Sequence, residues 1–260
     1  MKVLLYAVLP ILAFTMSCKK DKEVEGSFGK VTMQFDHVWG NTDGSSATPQ
    51  EFVYNKDFIH DATKETISFS KVKYYVSNVK LKNTSGEWVS EPNSYHLIEA
   101  ADGVMPSFTV DSVPVADYLE LQYFIGVDSL KNVSGAQTGD LSTANNMFWS
   151  WNSGYIFFKI EGKSSAVPAP NGPDFLYHVG GFTASDGKCA IQSVSSDFSG
   201  QLVSVTKDSN SDVHFNVNIA EVWGGSYKLA DRYKVHMPGA KAVEIATNFK
   251  KAFHVHHIHN

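Results

Sequence analysis

The chain has 260 residues, a formal net charge of −5 and a hydrophobic fraction of 43%, with 13% of its residues aromatic. This length allows one large β domain or two small ones, and the apolar fraction is sufficient for a sizeable core. Because the charge is negative and spread along the chain, the composition argues against a phosphate-binding surface, and we expect no nucleic-acid partner.

The N-terminal residues have the features of a targeting signal. After a positively charged start, residues 3–14 form an apolar stretch that is too short to span a membrane comfortably, and Ser17 stands directly before Cys18. A cysteine at the cleavage point, followed by lysines, resembles a bacterial lipoprotein signal. We therefore predict a signal peptide over residues 1–17, acyl chains on Cys18 and a solvated tether over residues 18–29, with an ordinary cleaved signal peptide as the alternative. This predicts a protein of the bacterial cell envelope, anchored to the outer membrane on its periplasmic or surface face.

Residues 30–39 alternate between an apolar and a polar face, as in a half-buried strand. The same alternation places His37 and Trp39 on the apolar face, at the end of the strand and near the rim of the core. A histidine in such a position is most often a core residue with a hydrogen-bond partner.

Short strands separated by turn-forming residues follow along the rest of the chain. They are predicted over residues 66–81, 88–89, 95–99, 118–128, 175–179, 201–205 and 213–219. One helix is predicted after Pro238-Gly239, where apolar residues recur at helical spacing. Many short strands without repeated helices favour a single domain over residues 30–260. Its predicted fold is all-β, an antiparallel β-sandwich of immunoglobulin-like or jelly-roll-like type, with one short C-terminal helix.

Residues 147–162, MFWSWNSGYIFFKIEG, are the most aromatic stretch of the chain. Their aromatic and β-branched content favours a strand. Period-two counting places Trp149 and Trp151 side by side on one face, together with Tyr155 and Phe157. Two interpretations remain open: a core strand with a large aromatic content, or a pair of indoles that lines a site.

The C-terminal tail, FHVHHIHN, contains four of the ten histidines. In an extended tail Phe253, Val255, His257 and His259 share one face, and the two apolar residues turn that face toward the core. His257 and His259 are therefore expected to lean inward, where two imidazoles at positions i and i+2 of a strand can chelate one metal ion. A solvated polar tail is the alternative. Four further histidines are interpreted as surface residues: His60, His96, His214 and His236.

No catalytic constellation is recognisable in the sequence. The chain has no nucleophile–base pair at a familiar spacing and no Gly-x-Ser-x-Gly motif. Cys189 is the one cysteine besides Cys18, so a disulfide framework is not expected, and Cys189 has no identifiable catalytic partner. We therefore expect a binding protein and not an enzyme.

Four segments of the chain occur together, and in the same order, in a known family. They are KYYVSNVKL at residues 73–81, FIGVD at 124–128, MFWSWNSGY at 147–155 and FLYHVGG at 175–181. On these segments the chain resembles the MbnP-like family of periplasmic copper-binding proteins. It looks closest to the branch of lipoproteins that carry a histidine-bearing tail.

The resemblance implies a β-sandwich that binds one copper ion through histidine nitrogens, with His178 matching the histidine of the last segment. In some members a separate di-haem enzyme converts a tryptophan to kynurenine. The resemblance therefore implies such an oxidase as a partner, and Trp149 or Trp151 as its target. Two positions depart from the family pattern, because Ser77 and Val133 stand where copper-binding members often have histidine. Other histidines must then supply the ligands, and four are the candidates: His37, His178, His257 and His259.

The leading hypothesis is therefore a lipid-anchored copper protein, with zinc as the alternative metal, that acquires, stores or delivers its metal through histidines beside the paired tryptophans. The alternative is a surface lipoprotein that binds a glycan or a protein partner without metal. In that case exposed aromatic side chains would stack on the ligand. The candidates for this role are Trp39, Trp88 and Trp223.

Overall fold

The computed structural model describes residues 26–41, 48–135, 137–150, 154–183, 189–198, 200–224 and 228–260. The predicted signal peptide, Cys18 and Trp151 lie outside these ranges. Within them, no helix combines the length and the apolar character that crossing a membrane requires.

The described part of the chain is built mostly from β-strands. It contains sixteen of them: β1 (Phe28–Trp39), β2 (Gln50–Glu51), β3 (Phe58–Ile59), β4 (Thr66–Asn83), β5 (Trp88–Ser90), β6 (Tyr95–Glu99), β7 (Ser107–Pro114), β8 (Ala116–Ile125), β9 (Phe148–Trp149), β10 (Gly154–Ser164), β11 (Asp174–Gly180), β12 (Gln192–Asp197), β13 (Val203–Val205), β14 (Asn210–Asn218), β15 (Lys234–Val235) and β16 (Phe253–His259). Two short α-helices accompany them, α1 (Ser129–Asn132) and α2 (Ala240–Phe249).

These strands form two sheets. The small sheet has five strands in the order β16-β14-β1-β2, with β7 also paired to β1. The large sheet has eleven, with β12-β8-β4-β10-β11-β15 as its main path. These counts refer to the described residues. The predicted β-sandwich with a short C-terminal helix is confirmed.

The sheets are mixed and not purely antiparallel, which corrects one part of the prediction. β1 runs parallel to β14, and β11 runs parallel to β15. A parallel pair needs a crossover connection. Between β1 and β14, this connection is the long part of the chain that builds most of the large sheet. The small sheet therefore unites segments from the beginning, the late middle and the end of the chain.

Aromatic side chains fill the space between the sheets. The alternation predicted for β1 is confirmed, since Val31, Met33 and Phe35 are all buried. Phe35 stacks on Phe215 of β14 with 5.2 Å between ring centroids and meets Tyr74 of β4 edge-on at 6.1 Å. Each such ring stabilises the fold by about 2–3 kcal/mol through removal of apolar surface from water.

The aromatic stretch at residues 147–162 is a hairpin and not one strand, which corrects the prediction. β9 pairs antiparallel with the start of β10, so that Trp149 faces Gly154. The sequence between β9 and β10 contains Asn and Ser, which favour turns, and a period-two count cannot be carried through a reversal of the chain. Trp149 is buried against Gly180, where a Cβ atom would come within 2.9 Å of the indole ring. Trp149 is therefore a core residue.

Candidate metal site

A cluster of histidines lies on the outer face of the small sheet, away from the large sheet. In β14 the side chains of Val213, Phe215 and Val217 are buried, and His214 between them points to the other face. β16 pairs antiparallel with β14 and places His257 directly opposite His214. His259 follows two residues later, on the same face of β16.

A β-bulge in β16 decides which face the tail histidines occupy. Val255 is opposite Phe215, while His257 is opposite its neighbour His214, so that His256 is an extra residue in the ladder. The bulge shifts the alternation by one, and Ile258 now packs against the core. The prediction that His257 and His259 lean inward is therefore wrong. The bulged register buries an isoleucine and leaves the imidazoles accessible, which is the less costly choice for polar rings.

The geometry of the cluster fits a small metal ion after minor adjustment. His214, His257 and His259 each offer one ring nitrogen, and these nitrogens all lie within 4.8 Å of one another. The His214 and His257 rings stack at 4.1 Å between centroids, and the His257 and His259 rings meet edge-on at 4.7 Å. Imidazoles bound to one ion at about 2.0–2.1 Å have nitrogens about 3.3 Å apart in a tetrahedral site. Because the rings are not enclosed, a rotation about the side-chain torsions can close this difference.

The electrostatics of the cluster favour neutral imidazoles, which is the form that binds metals. The pKa of His214 is lowered, first by partial burial and then by the neighbouring His259 and His256, while Asp212 and Asp36 act in the opposite direction. The pKa of His257 is lowered in the same way, by partial burial and by its histidine neighbours. His256 itself lies close, with its Nδ1 2.8 Å from the Nδ1 of His257.

His37 does not join this cluster. It lies on the inner face of β1 and is 5% exposed, and its Nε2 is 3.1 Å from the hydroxyl of Tyr74. Burial lowers the pKa of His37 to about 3. His37 is thus a neutral core histidine on the opposite face of the sheet from His214.

His178 lies in the large sheet and is also separate. Its Nε2 is 2.7 Å from Oε1 of Glu161 on the neighbouring strand β10. Partial burial lowers the pKa of His178, and the hydrogen bond to Glu161 opposes this effect. Among the described residues, the structure groups neither His37 nor His178 with two further potential ligands within 4.8 Å. The predicted convergence of these two histidines with the tail is therefore not found.

The two positions that depart from the family pattern hold no imidazole, and polar groups at or beside them form hydrogen bonds within the fold. The Ser77 hydroxyl is buried and donates to the carbonyl of Gly126 at 2.8 Å. Beside Val133, the Asn132 side-chain oxygen accepts from the backbone N–H of Tyr155 at 2.8 Å. Val133 itself is 70% exposed.

Two of the three tryptophans proposed for glycan stacking are buried. Trp39 is 3% exposed and Trp223 is fully buried, so neither can contact a ligand at the surface. Trp88 is half-buried, with the Lys80 ammonium 4.6 Å from the centre of its ring. The prediction of exposed aromatics is wrong for Trp39 and Trp223.

For two other histidines, the structure corrects or extends the sequence interpretation. His60 was expected at the surface and is fully buried beside Trp39. His214 was expected at the surface and lies on the solvent face, but its place in the cluster was not predicted. The alternation of residues 213–219 places His214 on the solvent side, but the pairing of β14 with the tail could not be inferred from local patterns.

The fold and the cluster together define a mixed β-sandwich protein with a surface histidine site. The MbnP family model matches residues 28–238, and the chain belongs to this family, as the sequence segments indicated. MbnP from Methylosinus trichosporium is similar in structure, with a TM-score of 0.51 and 14% sequence identity over 82% of this chain and 86% of that one. This similarity shows a common fold. No curated protein matches the chain at a significant level.

The family match has a consequence for the histidine cluster. It includes His214 but ends at residue 238, so that His257 and His259 lie beyond it. The strand that completes the small sheet and two of the three cluster residues therefore come from outside the matched region.

Proposed function

We propose that this protein is a lipid-anchored metal-binding protein of the bacterial cell envelope that acquires, stores or delivers copper, with zinc as the alternative metal. One observation carries the proposal: His214, His257 and His259 meet on an accessible sheet face with their ring nitrogens within 4.8 Å. Membership of the MbnP family supports it, because that family suggests a metal-related protein of the periplasm.

The chemistry of the cluster is suited to binding and exchange. Imidazole nitrogen is a good ligand for both copper and zinc. Three protein ligands leave at least one coordination position for water or for a ligand from another molecule. Because His257 is only half-buried and His259 is exposed, an ion held here can be exchanged without opening the core. These properties favour storage or delivery of the ion over catalysis.

The N-terminal anchor and the tryptophan modification are further parts of the proposal, and they rest on the sequence resemblance. Mass spectrometry of the protein from its native host tests both, through the acyl mass on Cys18 and the mass of kynurenine at Trp149 or Trp151. Since Trp149 is buried, its oxidation by a di-haem partner requires long-range electron transfer or an opening of the hairpin. Unmodified peptides would refute these parts and leave the metal proposal unaffected.

Calorimetric titration of the mature chain with copper and with zinc tests the metal proposal. We expect one ion per chain, and loss of binding when His257→Gln and His259→Gln are combined. The matched control is His254→Gln, which removes an exposed imidazole from the same strand but outside the cluster.

Two results would contradict the proposal. Absence of copper and zinc binding by the intact chain would exclude a metal function at this site. An equal loss of affinity in His254→Gln would show that the tail binds metal as a non-specific chelator, without the arrangement created by β14 and the bulge.

A further inference from the structure

The histidine cluster is bordered by carboxylates. Asp212 stands two residues before His214 in β14 and is directly opposite His259 in the ladder. Asp36 of β1 is half-buried on the same face. Asp36 is opposite Asn216, which follows His214 by two residues on the same face of β14. Both carboxylates raise the pKa of His214. An ion at the cluster would therefore be held by imidazole nitrogens in a negatively charged surrounding.

We infer that the ion held by His214, His257 and His259 is divalent, and that Asp36 and Asp212 select it over monovalent Cu⁺. The inference rests on the proposed function and names the class of ion for that site. It is independent of the family match, because two of the three imidazoles lie beyond residue 238.

The first argument is charge. An ion of charge +2 gains twice the Coulomb energy that an ion of charge +1 gains from the same carboxylates at the same distances. The carboxylates beside the three neutral imidazoles therefore favour a divalent cation over a monovalent one.

The second argument is the type of donor. Soft sulfur ligands favour Cu⁺, whereas imidazole with carboxylate or water suits divalent ions. The cluster contains no thiolate. Met33 is buried on the inner face of β1, and Met105 lines a cavity of about 220 Å³ beside Asp36 without belonging to the cluster. Among divalent ions, Cu²⁺ binds nitrogen sites most tightly, and Zn²⁺ is the next relevant candidate.

Competition titrations of the full mature chain test this inference. Cu²⁺ and Zn²⁺ are titrated in air, and Cu⁺ is titrated without oxygen against a Cu⁺-specific chelator. The variants are Asp212→Asn with Asp36→Asn, and the matched control is Asp208→Asn, the same change at a turn residue outside the cluster. Thermal unfolding confirms that each variant is folded, and electron paramagnetic resonance of the Cu²⁺ form counts the coordinated nitrogens.

We expect tighter binding of Cu²⁺ than of Cu⁺ and three nitrogen couplings in the resonance spectrum. In the double aspartate variant, we expect a 10–100-fold loss of Cu²⁺ affinity and a smaller loss for Cu⁺. Asp208→Asn should bind both ions as the unmodified chain does. Equal or tighter Cu⁺ binding, or an unchanged Cu²⁺ affinity in the double variant, would overturn the inference while the proposed metal function stands. Absence of binding for all three ions would remove the proposed function itself.

Discussion

His37 and His214 lie on neighbouring parallel strands of the small sheet, but on opposite faces, and this difference separates two roles. His37 is enclosed by core rings, is hydrogen-bonded to Tyr74 and has a pKa of about 3. His214 is partly open, has two further imidazoles within reach and has carboxylates nearby. A buried single imidazole needs hydrogen-bond partners only for its own ring nitrogens, whereas a metal ion needs several ligands that converge. The face of the strand on which a histidine lies, and not the residue type, decides whether it is a core residue or a candidate metal ligand.

Replacing the histidine on each face should therefore have opposite effects on metal affinity and on the free energy of unfolding. His214→Gln should lower copper or zinc affinity several hundredfold, about 3–4 kcal/mol, because structural zinc sites yield about 10–16 kcal/mol from four ligands. Its free energy of unfolding without metal should change by less than about 0.5 kcal/mol, as for other surface substitutions. Calorimetric titration and chemical denaturation measure the two quantities, and a His214→Gln chain that still binds metal with full affinity would exclude this ring as a ligand.

His37→Ala should show the reverse. It removes a buried ring and leaves the Tyr74 hydroxyl without its partner, so we expect a loss of about 3 kcal/mol of stability. Metal affinity should stay within about twofold, since His37 is on the other face of the sheet. Urea denaturation measures the loss. A large drop in metal affinity in a chain that is still folded would instead place His37 at the site, as the sequence interpretation had it.

The contrast shows what the sequence could predict. Alternation in residues 30–39 predicted the inner face of β1 and the position of His37, because each residue's face follows from a strand's own period. The family could be inferred from four segments. The bulge at His256 and the role of His214 could not be inferred, because both depend on which strand pairs with the tail. The hairpin at Trp149 was missed for a similar reason, since a strongly aromatic pattern continued across a turn.

Acid should lower the free energy of unfolding, because His37 is buried in its neutral form. The pKa of His37 is lowered from 6.5 to about 3, so the unfolded chain takes up the proton first as the pH falls. The contribution of neutral His37 to the free energy of unfolding is therefore complete above about pH 6.5 and is lost as the pH falls toward about 3. At pH 4.5 we expect a loss of about 2–3 kcal/mol relative to pH 7, because one pKa unit corresponds to about 1.4 kcal/mol.

The matched variant for this measurement is His37→Gln, which remains neutral and can still bond to Tyr74. Burial raises the pKa of Tyr74 well above its usual value, so this hydroxyl does not titrate in the acidic range. Asp36 and Glu51 line the cavity next to His37 and are present in both chains, so the difference between the two denaturation curves isolates His37. Parallel pH dependence of stability in both chains would show that His37 is not the buried group that acid protonates.

Of these changes, deletion of His256 should have the smallest effect on its measured quantity, which is metal affinity. It tests directly how the bulge sets the positions of the tail histidines. In the bulged strand, His256 and His257 together oppose one residue of β14. Without His256, simple alternation still places Val255 and Ile258 toward the core and His257 and His259 outward. We therefore expect metal affinity to fall by less than about tenfold, or 1.4 kcal/mol. Deletion of Ile258 is the control, because it brings the two tail imidazoles to adjacent positions and thus to opposite faces, so binding should be lost. If the His256 deletion abolishes binding as well, His256 is itself a ligand, and the site extends across the bulge.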